Sequence, residues 1–197
     1  MFYGSSPVIH IDGYSMPHDP YSKSTNNCCQ RGVERFSLGI LSEETAKIVV
    51  TNFTSENVRK HIGKGITLTS INGNVFLEVL SEYPVFVRSM LLNIEQNFSF
   101  TTVCKIVPGG GLKLFDGRLF HQVLSKAANQ GFDQVYDLIS YCKIVVSFVK
   151  GWGADYSRYS VTSTPCWLEI QLNNPLRWLD NVLCSMGCAN TLISSRS

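Results

Sequence analysis

Two groups of side chains in this sequence have the types and spacing for charge chemistry. Between residues 101 and 160 stand seven basic side chains, Lys105, Lys113, Arg118, Lys126, Lys143, Lys150 and Arg158, against four acidic ones. Residues 1–100 balance at −1 and residues 161–197 at zero, so the +2 of the whole chain conceals a local +3. Such a segment is a candidate anion-binding surface, and equally an ordinary solvated face. The second group is Ile193-Ser194-Ser195-Arg196-Ser197, three hydroxyls with no acidic side chain in residues 188–197. Each phosphate placed there adds about −1.5 to −2 charges and three strong acceptors. That would make the end of the chain a ligand for a basic pocket on another copy; the bland alternative is a frayed terminus.

Catalytic and metal chemistry find less support. Gly63-Lys64-Gly65 lacks the earlier glycine and the Ser or Thr directly after the lysine that a phosphate loop needs. The glycines at 109–111 feed a strand, so they offer no helix N-terminus to a phosphate. Four histidines (10, 18, 61 and 121) are scattered, and the one tight cysteine pair, Cys28-Cys29, is too close for zinc spacing. No enzyme, metal or cofactor is expected.

The elements that must position these residues follow from turn and cap signals. Asn72-Gly73 between Ile66–Thr69 and Val75–Val79 predicts a β-hairpin, since both turn positions need φ > 0. Strands are also predicted near Val8–Ile11 and over Phe36–Ile40, Val85–Val87, Val103–Ile106, Leu112–Phe115, Ile144–Val149 and Cys166–Leu172. Ser55 and Gly63 bracket a short helix. Asp116 caps a second helix with Leu119, Phe120, Val123, Leu124 and Ala127 on one face, and a third runs from Phe132 to about Cys142. Asn174 as cap and Pro175 open the last, with Leu176, Leu179, Leu183 and Met186 inward and Gly187 at its stop. Many short strands with helices collected after them predict a β-sandwich with a helical cap.

Composition narrows the class. A chain of 197 residues supports one substantial core. A charged fraction of 16% argues against disorder, and a net charge of +2 against a strongly basic nucleic-acid binder. No apolar run reaches the length of a membrane span, and the N-terminus does not read as a secretory signal. Seven cysteines fit no small disulfide framework, so the chain reads as a reduced, intracellular protein.

Four segments carry a resemblance: Arg59–Gly65, Thr102–Ile106, Ser147–Tyr156 and Thr162–Glu169. Together with the final Ser-Ser-X-Ser they resemble the C-terminal Mad-homology (MH2) domain of receptor-activated Smad proteins. The likeness runs from about Phe2 to Ser197. It implies a mainly β fold, an antiparallel sandwich with a three-helix bundle at one end and a loop–helix face at the other, akin to forkhead-associated domains. It divides the chain into a domain over 1–187 and a flexible tail over 188–197. It implies a mediator of transforming-growth-factor-β or bone-morphogenetic-protein signalling whose tail is phosphorylated by a type I receptor serine/threonine kinase at Ser195 and Ser197. A phosphoserine pocket would comprise Lys105, Tyr136 and Lys150. The loop contacting receptor and neighbouring tail would include Trp152, Gly153, Tyr156, Ser157, Arg158 and Ser160. Trp152 and Trp167 have packing as their alternative role. Arg59 and Asp180 would face one another across a trimer made with a common-mediator Smad or with itself. Transcription factors and co-regulators are further implied partners; the protein would be cytoplasmic, and nuclear on activation.

The departures are specific. The strand that opens the domain and the N-terminal DNA-binding Mad-homology domain are not matched, so no direct DNA binding is expected. Glu43–Thr54 is longer than the family's turn and lacks its arginine. Gln96, Phe98 and Gly111 stand where activin-type members carry Tyr, Trp and Asn, and Ser157 and Ser160 match neither receptor branch. A constitutive interaction scaffold, or an interfering fragment without DNA binding, is the competing reading.

Overall fold

The computed structural model describes residues 8–13, 33–37 and 56–187. Strands β1 (Val8–Asp12), β2 (Val33–Ser37), β3 (Ile66–Ile71), β4 (Asn74–Val79) and β7 (Gly111–Phe115) form one sheet in the order β2-β1-β3-β4-β7. Strands β5 (Val85–Ser89), β6 (Cys104–Ile106), β8 (Lys143–Phe148) and β9 (Trp167–Gln171) form a second, ordered β6-β5-β8-β9. Every pairing is antiparallel except β1 with β2.

The first sheet grows from its hairpin. Asn72 and Gly73 adopt φ of 52° and 81°, the primed turn that the dipeptide favours, and set the register Ile71↔Asn74. Ile66, Leu68, Leu77, Val79 and Leu114 thereby face inward against Val85, Val87, Ile144, Val146 and Phe148 of the second sheet. Strands β5 and β8 are buried along nearly their whole length, so both of their faces are covered. The second cover is the loop after β8, described below.

A helical bundle closes one end. Helix α3 (Gly117–Ala128) starts where expected: the Asp116 carboxylate accepts from the Arg118 and Leu119 amides at 2.9 and 3.0 Å. Its Phe120, Leu124 and Ala127 pack with Val135 of α4 (Phe132–Asp137) and Leu179 of α5 (Asn173–Met186). Lys113 of β7 bonds both Asp116 and Glu95. This pairing holds the Asp116 carboxyl below its usual range, with the α3 amides adding to the effect, and raises Lys113.

Several elements differ from expectation for physical reasons. The third predicted helix ends at Asp137 and continues as a 3₁₀ turn, Leu138–Cys142, that delivers the chain directly into β8. Helix α5 starts at Asn173 with Leu172 in the cap position; Pro175 is third, where a missing N–H still costs no intrahelical bond. Strand β2 occupies Val33–Ser37 rather than Phe36–Ile40; residues 38–40 lie outside the described part. Helix α2 (Met90–Glu95) was not expected. Ser89 builds it inside a strand–helix junction, donating to the Leu114 carbonyl at 2.6 Å and accepting from the Leu92 amide. Helix α1 (Glu56–Ile62) lies within the predicted Ser55–Gly63 span.

Candidate functional site

The loop after β8 carries the residues with the least ordinary backbone. Val149 has φ of +66°, and the Lys150 amide donates to the Phe148 carbonyl at 2.7 Å, a tight γ-turn of the rarer hand. A β-branched residue in this region is strained by about 1–3 kcal/mol, and such strain persists only where the surroundings impose it. The turn is flanked by Ser147, buried in β8 after the apolar run Ile144–Val146. Its hydroxyl donates to the Lys150 carbonyl at 2.8 Å, with the Cys166 carbonyl also in reach at 3.2 Å. Both ends of the loop are thus drawn to one side chain.

The loop then folds onto the outer face of the second sheet. Trp152 is 2% exposed and packs with Phe86 and Val145. The Tyr156 ring meets Phe86 edge-on, with centroids 5.3 Å apart. It also lies so close over Gly151 that a Cβ there would sit 2.6 Å from the ring, so only glycine fits. Burial raises the Tyr156 phenol, with Asp155 and Cys104 adding to the effect. Gly153 has φ of +98°, and its amide donates to the Arg158 carbonyl at 2.7 Å. Ser160 accepts from the Thr162 amide and starts a single 3₁₀ turn, Val161–Ser163. What remains outward is the apex: Ser157 and Ser160 are exposed, Arg158 is half-buried, and Tyr159 is 91% exposed.

Strand register brings Lys105 to the same face. Lys105 pairs with Phe86, which pairs with Ser147, so its Cα lies two strand spacings, about 10 Å, from the residue that tethers Lys150. Both lysines are exposed. Tyr136 stands elsewhere, exposed on α4 and stacked on Phe132 in the bundle, and among the described residues no contact joins it to either lysine. Asp180 is exposed on α5 and contributes, after burial, to pushing the Cys142 thiol up to about 12. Arg59 lies on α1, which leads into the start of β3; the bundle holding Asp180 packs at the opposite, hairpin end of that strand. Ser195, Ser197 and the segment Glu43–Thr54 lie outside the described residues.

The +3 segment is not one uniform surface. Lys113 is held by Glu95 and Asp116, and Lys143 pairs with Glu169 at 3.1 Å. Those two cations are structural. Lys105, Lys150 and Arg158 have no ion-pair partner among the described residues. Sequence reasoning missed Ser147, Val149 and Tyr159. A hydroxyl inside the run Ile144-Val145-Val146-Ser147-Phe148 was the available signal for Ser147, since a buried polar group needs a partner. Tyr159 is signalled by a large aromatic between Arg158 and Ser160 in a segment of small and polar residues. Nothing in the residue type announces Val149, since a β-branched side chain disfavours positive φ.

Comparison with known proteins agrees with this architecture. The family described as MH2 domain matches residues 1–173. Among solved structures, the chain is similar to the IAD domain of Interferon Regulatory Factor 9, with a TM-score of 0.51 at 9% identity. That match covers 90% of this chain and 77% of the other. At so low an identity it speaks for a shared fold and nothing more.

Proposed function

This chain belongs to the MH2 domain family, protein-interaction modules of Smad-type signal transduction, and on that premise we propose that it is a phosphorylation-switched transducer of the transforming-growth-factor-β or bone-morphogenetic-protein pathway. The observation that carries the reading is that Lys105 and Lys150 are both exposed, with Lys105 in the register row of Ser147, whose buried hydroxyl bonds the Lys150 carbonyl behind a strained turn. Two ammonium groups without counter-charges among the described residues are suited to a phosphoserine, whose oxygens accept charge-assisted hydrogen bonds. Phosphates on Ser195 and Ser197, placed by a type I receptor kinase, would shift the chain from +2 to about −1 or −2 and supply that ligand.

The unmodified chain offers cations to cations and stays apart. The phosphorylated tail of one copy docks on the loop face of the next, and a trimer forms with itself or with a common-mediator Smad. Arg59 and Asp180, at opposite ends of the sandwich, then pair between subunits. Tyr136 joins the phosphate site only if a subunit contact brings the bundle to it. Nuclear accumulation and recruitment of transcription factors and co-regulators follow assembly, without DNA contacts from this chain.

Light scattering on the full chain tests this. Phosphorylation of Ser195 and Ser197 is expected to raise the mass towards that of a trimer, and Lys150→Ala to return it to a monomer. A phosphorylated chain that stays monomeric across the micromolar range overturns the switch. Partner binding that survives deletion of residues 188–197 favours the constitutive scaffold instead.

A further inference from the structure

Tyr159 is the most exposed large apolar or aromatic side chain among the described residues, at 91%. Among those residues its ring meets no other ring, and its hydroxyl has no hydrogen-bond partner. An aromatic left in water at a loop apex forgoes the burial that stabilises most of its kind, and such rings are frequent anchors of interfaces. Its surroundings are cationic: Arg158 precedes it, and residues 149–165 contain one carboxylate, Asp155. Tyr159 also lies within reach of Lys150. Three residues lead from Lys150 to Gly153, the Gly153 amide bonds the Arg158 carbonyl at 2.7 Å, and Tyr159 follows. This path holds the two α-carbons to at most about 20 Å. Lysine, phosphoserine, arginine and tyrosine side chains laid end to end cover that span.

The ligand proposed for the lysines brings a cation of its own. Arg196 stands between Ser195 and Ser197. In an extended chain alternate side chains point to opposite sides, so the two phosphoserines face one surface together and Arg196 faces away from it. Lys105, Lys150 and Arg158 repel a guanidinium. The face of an aromatic ring attracts one through its quadrupole, and takes arginine more often than lysine. Tyr159 projects into solvent with its ring uncovered by any described residue, so it can meet the outward side of a docked tail.

We propose that Tyr159 reads the middle of the tail: the Arg196 guanidinium of a second copy stacks on the Tyr159 ring while the flanking phosphoserines take Lys105 and Lys150. The inference rests on the phosphorylation-switched docking proposed above, and adds to it a selectivity for the residue between the two serines. A phosphorylated tail without a cation at that position satisfies the lysines and leaves the ring in water. The chain therefore prefers its own tail to tails that carry the phosphates alone.

The test uses the full chain, unphosphorylated, and fluorescein-labelled peptides of residues 190–197 with phosphate on Ser195 and Ser197, read by anisotropy. One peptide keeps Arg196 and the other carries Arg196→Gln. Tyr159→Ala is expected to weaken binding of the arginine peptide about three- to tenfold and to leave the glutamine peptide unchanged. Tyr159→Phe keeps the ring face and is expected to bind both peptides as the native chain does. Asp155→Asn is expected to change neither peptide selectively, because an exposed ion pair contributes little. Phosphate-dependent binding in which Tyr159→Ala affects both peptides alike, or neither, overturns this inference and leaves the docking intact. So does a Tyr159→Phe variant as weak as Tyr159→Ala, or an arginine-selective loss at Asp155→Asn in place of Tyr159→Ala. Absence of phosphate-dependent binding for both peptides overturns the docking itself, and this inference with it.

Discussion

At the bundle end Asp116 satisfies two amides of α3, Lys113 is held by two carboxylates, and Phe120 and Leu179 are buried in complementary packing. On the outer face of the second sheet Val149 sits in a left-handed conformation, Lys105, Lys150 and Arg158 lack counter-charges among the described residues, and Tyr159 stands in solvent. The first region obeys local rules at each position. The second breaks several within a few residues, although its framework holds buried Trp152 and Ser147 and half-buried Tyr156. Local violations held inside a packed frame support the binding role proposed above, because the frame keeps strained and unpaired groups from relaxing.

Substitutions can break or sharpen this contrast. The largest effect is expected for Phe120→Ala, which empties the bundle core and costs about 3–5 kcal/mol in urea unfolding. Next comes a matched pair in and beyond β8. Val146→Gly, inside the strand, is expected to cost about 2–4 kcal/mol. Val149→Gly is expected to change stability by less than about 1 kcal/mol, because relief of the left-handed backbone, about 1–2 kcal/mol, offsets lost contacts. Equal costs at the two valines would remove the strain from the contrast. Gly151→Ala drives a methyl into the Tyr156 ring and should cost about 1–3 kcal/mol, with loss of tail-driven assembly in the same protein.

Smaller effects probe the bundle's electrostatics. Asp116→Ala removes a cap and should cost about 0.5–2 kcal/mol near neutral pH. The native Asp116 carboxyl titrates below its unfolded value of 3.8, so its stabilisation is present above that pH and is lost as pH falls through the folded value. The gap between native protein and variant should therefore narrow below pH 3.8, as read by thermal unfolding across pH. The smallest expected effect is Lys143→Ala, about 0.2–1 kcal/mol and fading at high salt, since the Lys143–Glu169 pair is solvent-exposed.

Legibility divides along the same line. The Asn72-Gly73 hairpin, the Asp116 cap and the apolar face of α3 were readable because each depends on neighbours in sequence. Helix α2 was not: it is six residues long, follows a strand without Gly or Pro, and is nucleated by a serine whose other bond reaches β7. The basic segment was visible as charge but not as function, because its balance cannot tell Lys113, bound by carboxylates, from Lys150, which is open. Resemblance supplied Lys105, Tyr136 and Lys150 as a set. The strand register places Lys105 in the row of Ser147, whose hydroxyl bonds the Lys150 carbonyl, while Tyr136 stacks on Phe132 in the bundle.

The Ser147 hydroxyl has a consequence for how such a domain can diverge. Residues 149–165 leave and re-enter the fold at neighbouring points, because the Phe148 amide bonds the Cys166 carbonyl and Ser147 reaches both ends. Closure is thus secured at the base and asks little of the apex around Ser157–Tyr159. Lengthening a closed loop is inexpensive, about 0.6 kcal/mol for each doubling. The apex can therefore be rewritten, in length as well as in residue type, without retuning the core. If the apex is the contact surface proposed above, its recognition can be changed there while the base of the loop stays fixed.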